Sequence, residues 1–249
     1  MSRCFSYVNV ISFSDLSLIS GTKDLMIQKL TSVIYLSFPL LFISTFVSTK
    51  MSSVYVVYNS IYNIIRNVLN SIISAPVNAF GQLLSNNEKR KAFIKFELYE
   101  YIVILLTSIL ISITLCLIVP FVTLYTSNIN EINYVNLPIA IMLSIIVFLE
   151  LIHIPSGHII NVTGKFKVSK NINLIISFVL FLLLIIFGIN YGIYGILLAT
   201  ILSNVLLSIL EISYTHYKIF NSNLKKFSLL LIVNVVCVII LQIIFKKFN

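Results

Sequence analysis

One arginine stands where a charge is hard to keep. Arg66 falls inside a long apolar run, and Asn59, Asn63, Asn67 and Asn70 accompany it at spacings of seven, three, one and four residues. Those spacings put the guanidinium and four amides on one face of a helix. A charged side chain deep in a bilayer costs upward of about 2.5 kcal/mol, so it persists when it is paired with an anion or faces a wet cavity. The guanidinium fork suits phosphate or carboxylate oxygens, and the amides suit hydroxyls. Three readings follow: a binding face for a polar, anionic ligand, a structural pair with a carboxylate such as Glu150, or an arginine that snorkels to the interface. Glu150 and His153 form a second candidate set. They lie one helical turn apart, so they could relay protons or pin two helices together. His158 falls near the end of the same run and reads as interfacial. Glu97, Glu100 and Glu211 fall at helix ends beside Lys and Arg and read as weak surface ion pairs.

The elements that must carry these residues are membrane helices. The chain of 249 residues is 59% hydrophobic and 10% charged, with a mean hydropathy of +1.04. A water-soluble domain is about 25% charged. Apolar residues fall in runs at about 26–48, 52–80, 98–121, 135–160, 171–188, 192–213 and 228–245, each near the roughly 20 residues that cross a bilayer as a helix. The runs are continuous rather than alternating, which excludes a β-barrel. The fold class expected is therefore all-α, a polytopic transmembrane bundle of about seven helices (26–249) behind a cytoplasmic lead-in (1–25). Part of that lead-in, around Phe5–Ile19, would lie along the membrane surface.

Charge placement orients the bundle. Lys89, Arg90, Lys91 and Lys95, then Lys165, Lys167 and Lys170, then Lys218, Lys225 and Lys226 occupy alternate connections. Residues 122–134 and 189–191 hold no Lys or Arg. Basic connections stay in the cytoplasm, which puts the N-terminus there and the C-terminus outside, with Lys246 and Lys247 discordant. Tyr99, Tyr101, Tyr214 and Tyr217 mark inner helix ends, and Tyr125, Tyr134, Tyr191 and Tyr194 outer ones. Within the runs, Pro39 predicts a kink, and Pro138 and Pro155-Ser156-Gly157 predict breaks or a hinge in the fourth span. Cys4, Cys116 and Cys237 have no metal or disulfide spacing. The formal charge of +9 belongs to these connections and not to nucleic-acid binding. No P-loop, HExxH, GxSxG or CxxC motif is present, so no enzyme chemistry, metal or cofactor is expected.

Four segments together resemble one family. Ala75-Pro-Val-Asn-Ala-Phe-Gly-Gln-Leu-Leu-Ser-Asn-Asn-Glu-Lys-Arg-Lys is an apolar helix end, a glycine and a charged turn. Pro120-Phe-Val-Thr-Leu-Tyr-Thr is close to an F-x-x-L-Y-T turn. His153-Ile-Pro-Ser-Gly leading to Thr163-Gly-Lys-Phe-Lys is similar to R-x-P … G-x-F-K, with His in place of Arg. Gly188-Ile-Asn-Tyr-Gly-Ile-Tyr-Gly with Ala199-Thr completes the set. In this order, over about residues 22–245, they resemble the polysaccharide (O-antigen or capsule repeat-unit) transporters, the flippase branch of the multidrug and oligosaccharidyl-lipid exporter superfamily.

The resemblance implies the second, C-terminal lobe of a two-lobe flippase in the cell membrane, a truncated or split product lacking a first lobe and a last helix. Its substrate would be a polyprenyl-diphosphate-linked oligosaccharide, moved by alternating access without bond chemistry. Arg66 would meet the diphosphate, and Asn59, Asn63, Asn67 and Asn70 the sugar hydroxyls. Partners would be the lipid bilayer, a separate first-lobe half and polysaccharide assembly proteins. The alternatives are an ion-coupled drug exporter of the same superfamily, which would favour an anionic cavity, and a membrane-embedded polysaccharide polymerase or ligase, which would need a large basic outer loop.

Overall fold

The computed structural model describes residues 15–129 and 132–248. Residues 1–14 of the lead-in, and with them the first part of the proposed surface segment Phe5–Ile19, lie outside the described residues, while residues 15–19 belong to the first helix. Among the described residues there is no strand. Helix α1 (Asp15–Phe42) passes into a π-helical turn, Ile43–Val47, and Ser48 caps helix α2 (Thr49–Ser74) by accepting from Met51 N at 3.1 Å. There follow α3 (Val77–Ser85), α4 (Lys89–Tyr125), α5 (Leu137–Val162), α6 (Phe166–Ser213), a second π-helical turn Tyr214–Ile219, and α7 (Lys225–Phe248). The protein is an all-α polytopic bundle. Among the described residues five stretches are long and apolar enough to cross a membrane: Thr22–Val47, Lys89–Tyr125, Leu137–Val162, Phe166–Ile219 and Lys225–Ile243.

The expected runs map onto these with two changes. The fifth and sixth share one helical element, because Gly192 (φ 57°, ψ −137°) is its one non-helical residue. At 1.5 Å per residue the stretch would be about 80 Å long if straight, more than twice a bilayer core. It folds back at Gly192 instead. Its first limb runs along α1, where Gln28 Nε2 donates to Ser169 Oγ (2.7 Å), Lys170 meets Asp24 (2.6 Å) and Phe181 packs on Phe38 and Phe42. Its second limb runs along α5, from Asn136–Tyr194 at one end to Thr215 Oγ1 donating to Ser156 O at the other. Lys165 and Lys218, at the two ends of the hairpin, line one cleft. Only glycine fits this bend: a Cβ on Gly195 would overlap the backbone carbonyl of Phe187.

The second run is also not one helix. Pro76 has no N–H to continue α2, which stops at Ser74, and the chain restarts as the nine-residue α3. α2 is a full-length helix of 26 residues that its asparagines and serines make too polar to count among the apolar stretches. It lies along α5, held by tyrosines. Tyr58 donates to Tyr134 O (3.1 Å) and accepts from Asn136 N (2.9 Å), Tyr62 donates to Ala140 O (2.9 Å) and meets Ser144, and Tyr99 of α4 donates to Ile73 O (2.6 Å).

α5 is central, packed against α2, α3, α4 and α6. The breaks expected at Pro138 and Pro155-Ser156-Gly157 do not occur. Pro138 sits in the first turn, where a missing N–H costs nothing, and Pro155 is carried inside a continuous helix by packing on all sides. Tyr99 and Tyr134 are buried rather than interfacial, whereas Tyr101, Tyr125, Tyr191, Tyr194 and Tyr217 are exposed as a belt requires. The basic connections gather at one end of the bundle, with Lys170–Asp24, Lys226–Glu97 and the cleft between Lys89, Lys165 and Lys218.

Candidate functional site

α2 has three faces. Val54, Tyr55, Tyr58, Tyr62, Leu69 and Ile73 are buried against α4 and α5. Val56, Ile64, Val68 and Ile72 are exposed and apolar. Between them runs the amide face, on which Asn63, Asn67, Asn70, Ser71 and Ser74 are exposed and Asn59 is half-buried.

Arg66 stands at the border of the buried and amide faces and binds inward. Its Nε donates to Glu150 Oε2 at 2.7 Å, and its Nη1 donates to Asn59 Oδ1 at 3.0 Å and to Asn63 Oδ1 at 2.8 Å. The side chains of Arg66 and Glu150 keep 17% and 15% of their exposure. The structural reading and the binding-face reading therefore meet in one residue. A guanidinium has five N–H donors. Nε and Nη1 are engaged, while Nη2 has no partner among the described residues. Asn59 and Asn63 spend their carbonyl oxygens on Arg66, which turns their NH2 groups away from it. Asn67 and Asn70 share the face and, among the described residues, make no side-chain hydrogen bond to Arg66 or Glu150. Tyr35 of α1 and Tyr55 of α2 are within electrostatic reach of Glu150, and the buried Tyr35 hydroxyl has no hydrogen-bond partner among the described residues.

The Glu150–His153 relay is not formed. Glu150 goes to α2, whereas His153 Nδ1 faces Glu211 Oε2 of α6 at 2.8 Å, with 14% and 6% exposure. One helical turn separates the two residues along α5, but it also rotates them toward different neighbours. Gly157, proposed as a hinge, makes room for that second pair: a Cβ there would stand 2.9 Å from Glu211 Oε2.

Glu100 and Glu211 are likewise not surface residues. Glu100 is 2% exposed and is bound by His216 Nε2 at 3.0 Å, while His216 Nδ1 meets Ser222 Oγ at 3.0 Å. Ser156 Oγ donates to Glu100 Oε1 at 3.4 Å, and Phe93, Phe96 and Phe227 wall the imidazole. His216 carried no expectation. The available signal was helix length: α4 starts at Lys89 and α6 continues as a π-turn to Ile219, so both acids lie a full turn or more inside the bundle and need a partner. Glu97 pairs with Lys226 at 3.1 Å, at the surface as expected. His158 is half-buried, with Nδ1 3.3 Å from Tyr99 Oη. Cys116 and Cys237 are free, and among the described residues no His, Cys, Asp and Glu gather in a metal-binding group.

No family model matches the chain, and no curated protein or solved structure matches it. The fold and site define a class only: a polytopic helical membrane protein in which each in-bundle carboxylate (Glu100, Glu150, Glu211) is tied to a base on a neighbouring helix, while one amide-rich helix face stays open.

Proposed function

We propose that this chain is the lobe of a membrane transporter, a flippase that moves a polyprenyl-diphosphate-linked oligosaccharide across the cell membrane, with its basic end and N-terminus in the cytoplasm. The observation that carries the reading is the half-used guanidinium. Arg66 is anchored by Glu150, Asn59 and Asn63 and keeps the two protons of Nη2 unengaged beside an exposed ladder of amides. A diphosphate oxygen would take Nη2, and sugar hydroxyls would take the Asn59 and Asn63 NH2 groups and the whole amides of Asn67 and Asn70. The Glu150 pair holds the fork in place so that little ordering remains to be done on binding. The orientation rests on the collection of lysines at one end. A cation exporter is disfavoured because Glu100, Glu150 and Glu211 each already have a basic partner.

The test is binding and movement of a fluorescent polyprenyl-diphosphate sugar by the full chain in proteoliposomes. Wild type should bind it, and Arg66→Ala combined with Glu150→Gln should weaken binding by about tenfold or more, with Arg66→Lys intermediate because a point charge replaces the fork. Equal binding by wild type and the double variant, or no binding above protein-free liposomes, would refute the proposal.

A further inference from the structure

The three turns at the basic end share one construction. Each reverses at a residue in the left-handed region: Asn87 (φ 59°), Gly164 (φ 72°) and Asn221 (φ 52°). Each then opens the next helix with lysines: Lys89 and Lys91 on α4, Lys165 and Lys167 on α6, Lys225 and Lys226 on α7. The first turn of a helix presents free N–H groups and the positive end of its dipole, so a cation there is unfavourable and an anion favourable. No acidic residue occupies the first turn of α4, α6 or α7, and neither Glu88 nor Lys165, the N-caps of α4 and α6, caps its helix with a side-chain hydrogen bond. The carbonyl ends arriving at the first two turns are closed, by Glu88 N donating to Leu83 O and Lys165 N to Ile160 O.

Two of these turns close on one cleft of about 350 Å³, lined by Gly81, Ser85, Lys89, Thr163, Lys165 and Lys218 among others. Its three lysines come from three separate segments. Lys165 is held over the Tyr214 ring, 5.3 Å from its centroid. None of the three has a carboxylate within salt-bridge distance among the described residues. The nearest acid in sequence, Glu88, is engaged with Lys91 at 3.1 Å. Uncapped helix starts, three lysines lining one cleft and no carboxylate paired with them together describe a site for a compact, multiply charged anion.

We propose that this cleft binds a phosphate group, the chemistry of an anionic phospholipid headgroup or of free phosphate. The geometry does not depend on the transport reading, since the cleft shares no residue with Arg66 and its amides. Its place, at the ends of apolar helices where a leaflet's headgroups lie, favours the lipid as source.

The probes are phosphatidylglycerol and inorganic phosphate, offered to the full chain in phosphatidylcholine nanodiscs. Bound phosphatidylglycerol is counted by native mass spectrometry across a titration. Wild type should saturate, and Lys165→Gln with Lys218→Gln should weaken binding by about tenfold. Lys167→Gln with Lys225→Gln removes the same charge outside the cleft and should stay within about twofold of wild type. Displacement of phosphatidylglycerol from wild type by millimolar inorganic phosphate would assign the site to free phosphate as well, whereas retention would assign it to the lipid. Equal losses in the two double variants, or a non-saturating wild-type curve, would reduce the effect to diffuse charge and overturn the site. Unaltered elution and melting of both variants checks folding, and Lys165→Arg with Lys218→Arg should keep binding where the glutamine pair fails to fold.

Discussion

Removing Arg66 from the Arg66–Glu150 pair should cost more than the pair itself is worth. The Nε–Oε2 distance is 2.7 Å, and both side chains keep under a fifth of their exposure. Breaking a buried pair by deleting one charge typically costs about 3–5 kcal/mol, because the remaining charge is stranded, while replacing both by apolar groups is often neutral. The two singles should also differ. With Glu150→Gln, Arg66 keeps the carbonyl oxygens of Asn59 and Asn63 and a neutral amide in place of the carboxylate, so the loss should be about 1–2 kcal/mol. With Arg66→Met, Glu150 loses its cation, and the loss should reach about 3–5 kcal/mol. Arg66→Met with Glu150→Leu should recover most of it, and with the Glu150→Leu single closing the cycle the coupling should be about 2 kcal/mol or more. Equilibrium unfolding of the full chain in mixed micelles, run as a double-mutant cycle, measures this. A second cycle on Glu97 and Lys226, where Lys226 is 76% exposed, supplies the surface reference, expected below about 1 kcal/mol. Equal coupling in the two cycles would refute the reasoning, since it would mean that Arg66 is solvated as well as Lys226.

Three further outcomes follow from the packing. His216→Ala should destabilise by about 3–5 kcal/mol and Glu100→Gln by clearly less, because the amide still accepts from the imidazole; thermal unfolding of both variants checks the order. Gly195→Ala should prevent assembly of the α6 hairpin, since the obstruction is the Phe187 carbonyl and cannot move, whereas Gly81→Ala, 3.6 Å from Val162 Cγ1, should be tolerated; yield of monodisperse protein separates them. Gly157→Ala should cost about 1 kcal/mol, the hydrogen bond from His153 that Glu211 must give up in moving aside, and the cost should vanish in a Glu211→Ala background.

How much of this was legible depended on what kind of information each feature needs. Spans could be read because composition alone decides whether water or lipid must solvate a segment, and the hairpin between runs five and six was announced by Gly188 through Gly195. The split at Pro76 was missed because the residues on both sides remain helix-compatible, so only the absent N–H distinguishes a turn from a kink. Pro155 erred the other way: a breaker was outvoted by packing around α5. Arg66 was identifiable from cost alone, and so was Glu150 as its possible partner. His153–Glu211 and Glu100–His216 were not, since each joins helices whose mutual rotation no spacing within one helix records. Runs that begin at 98 and end at 213 put Glu100 and Glu211 at helix ends, whereas α4 begins about two turns earlier, at Lys89, and the helical chain after α6 continues to Ile219.

The polar groups of the bundle divide into closed and open sets, and the division separates stability from function. His153–Glu211 and His216–Glu100 are closed: the carboxylates are 6% and 3% exposed and held by imidazoles, so they lock α4, α5 and α6 together. Two regions are open. One is the amide face of α2, where Nη2 of Arg66 and the amides of Asn67 and Asn70 have no partner among the described residues. The other is the lysine cleft, where three cations lack a counter-charge. Along α2 folding alone gives no reason to leave them so, because a polar group facing hydrocarbon costs free energy that a methyl group would not. Both open regions carry donors, and the charges among them are positive. Under the two proposals the bundle meets acceptor-rich, anionic molecules at two separate places, one along the length of α2 and one at its basic end, and the two can be tested independently because they share no side chain.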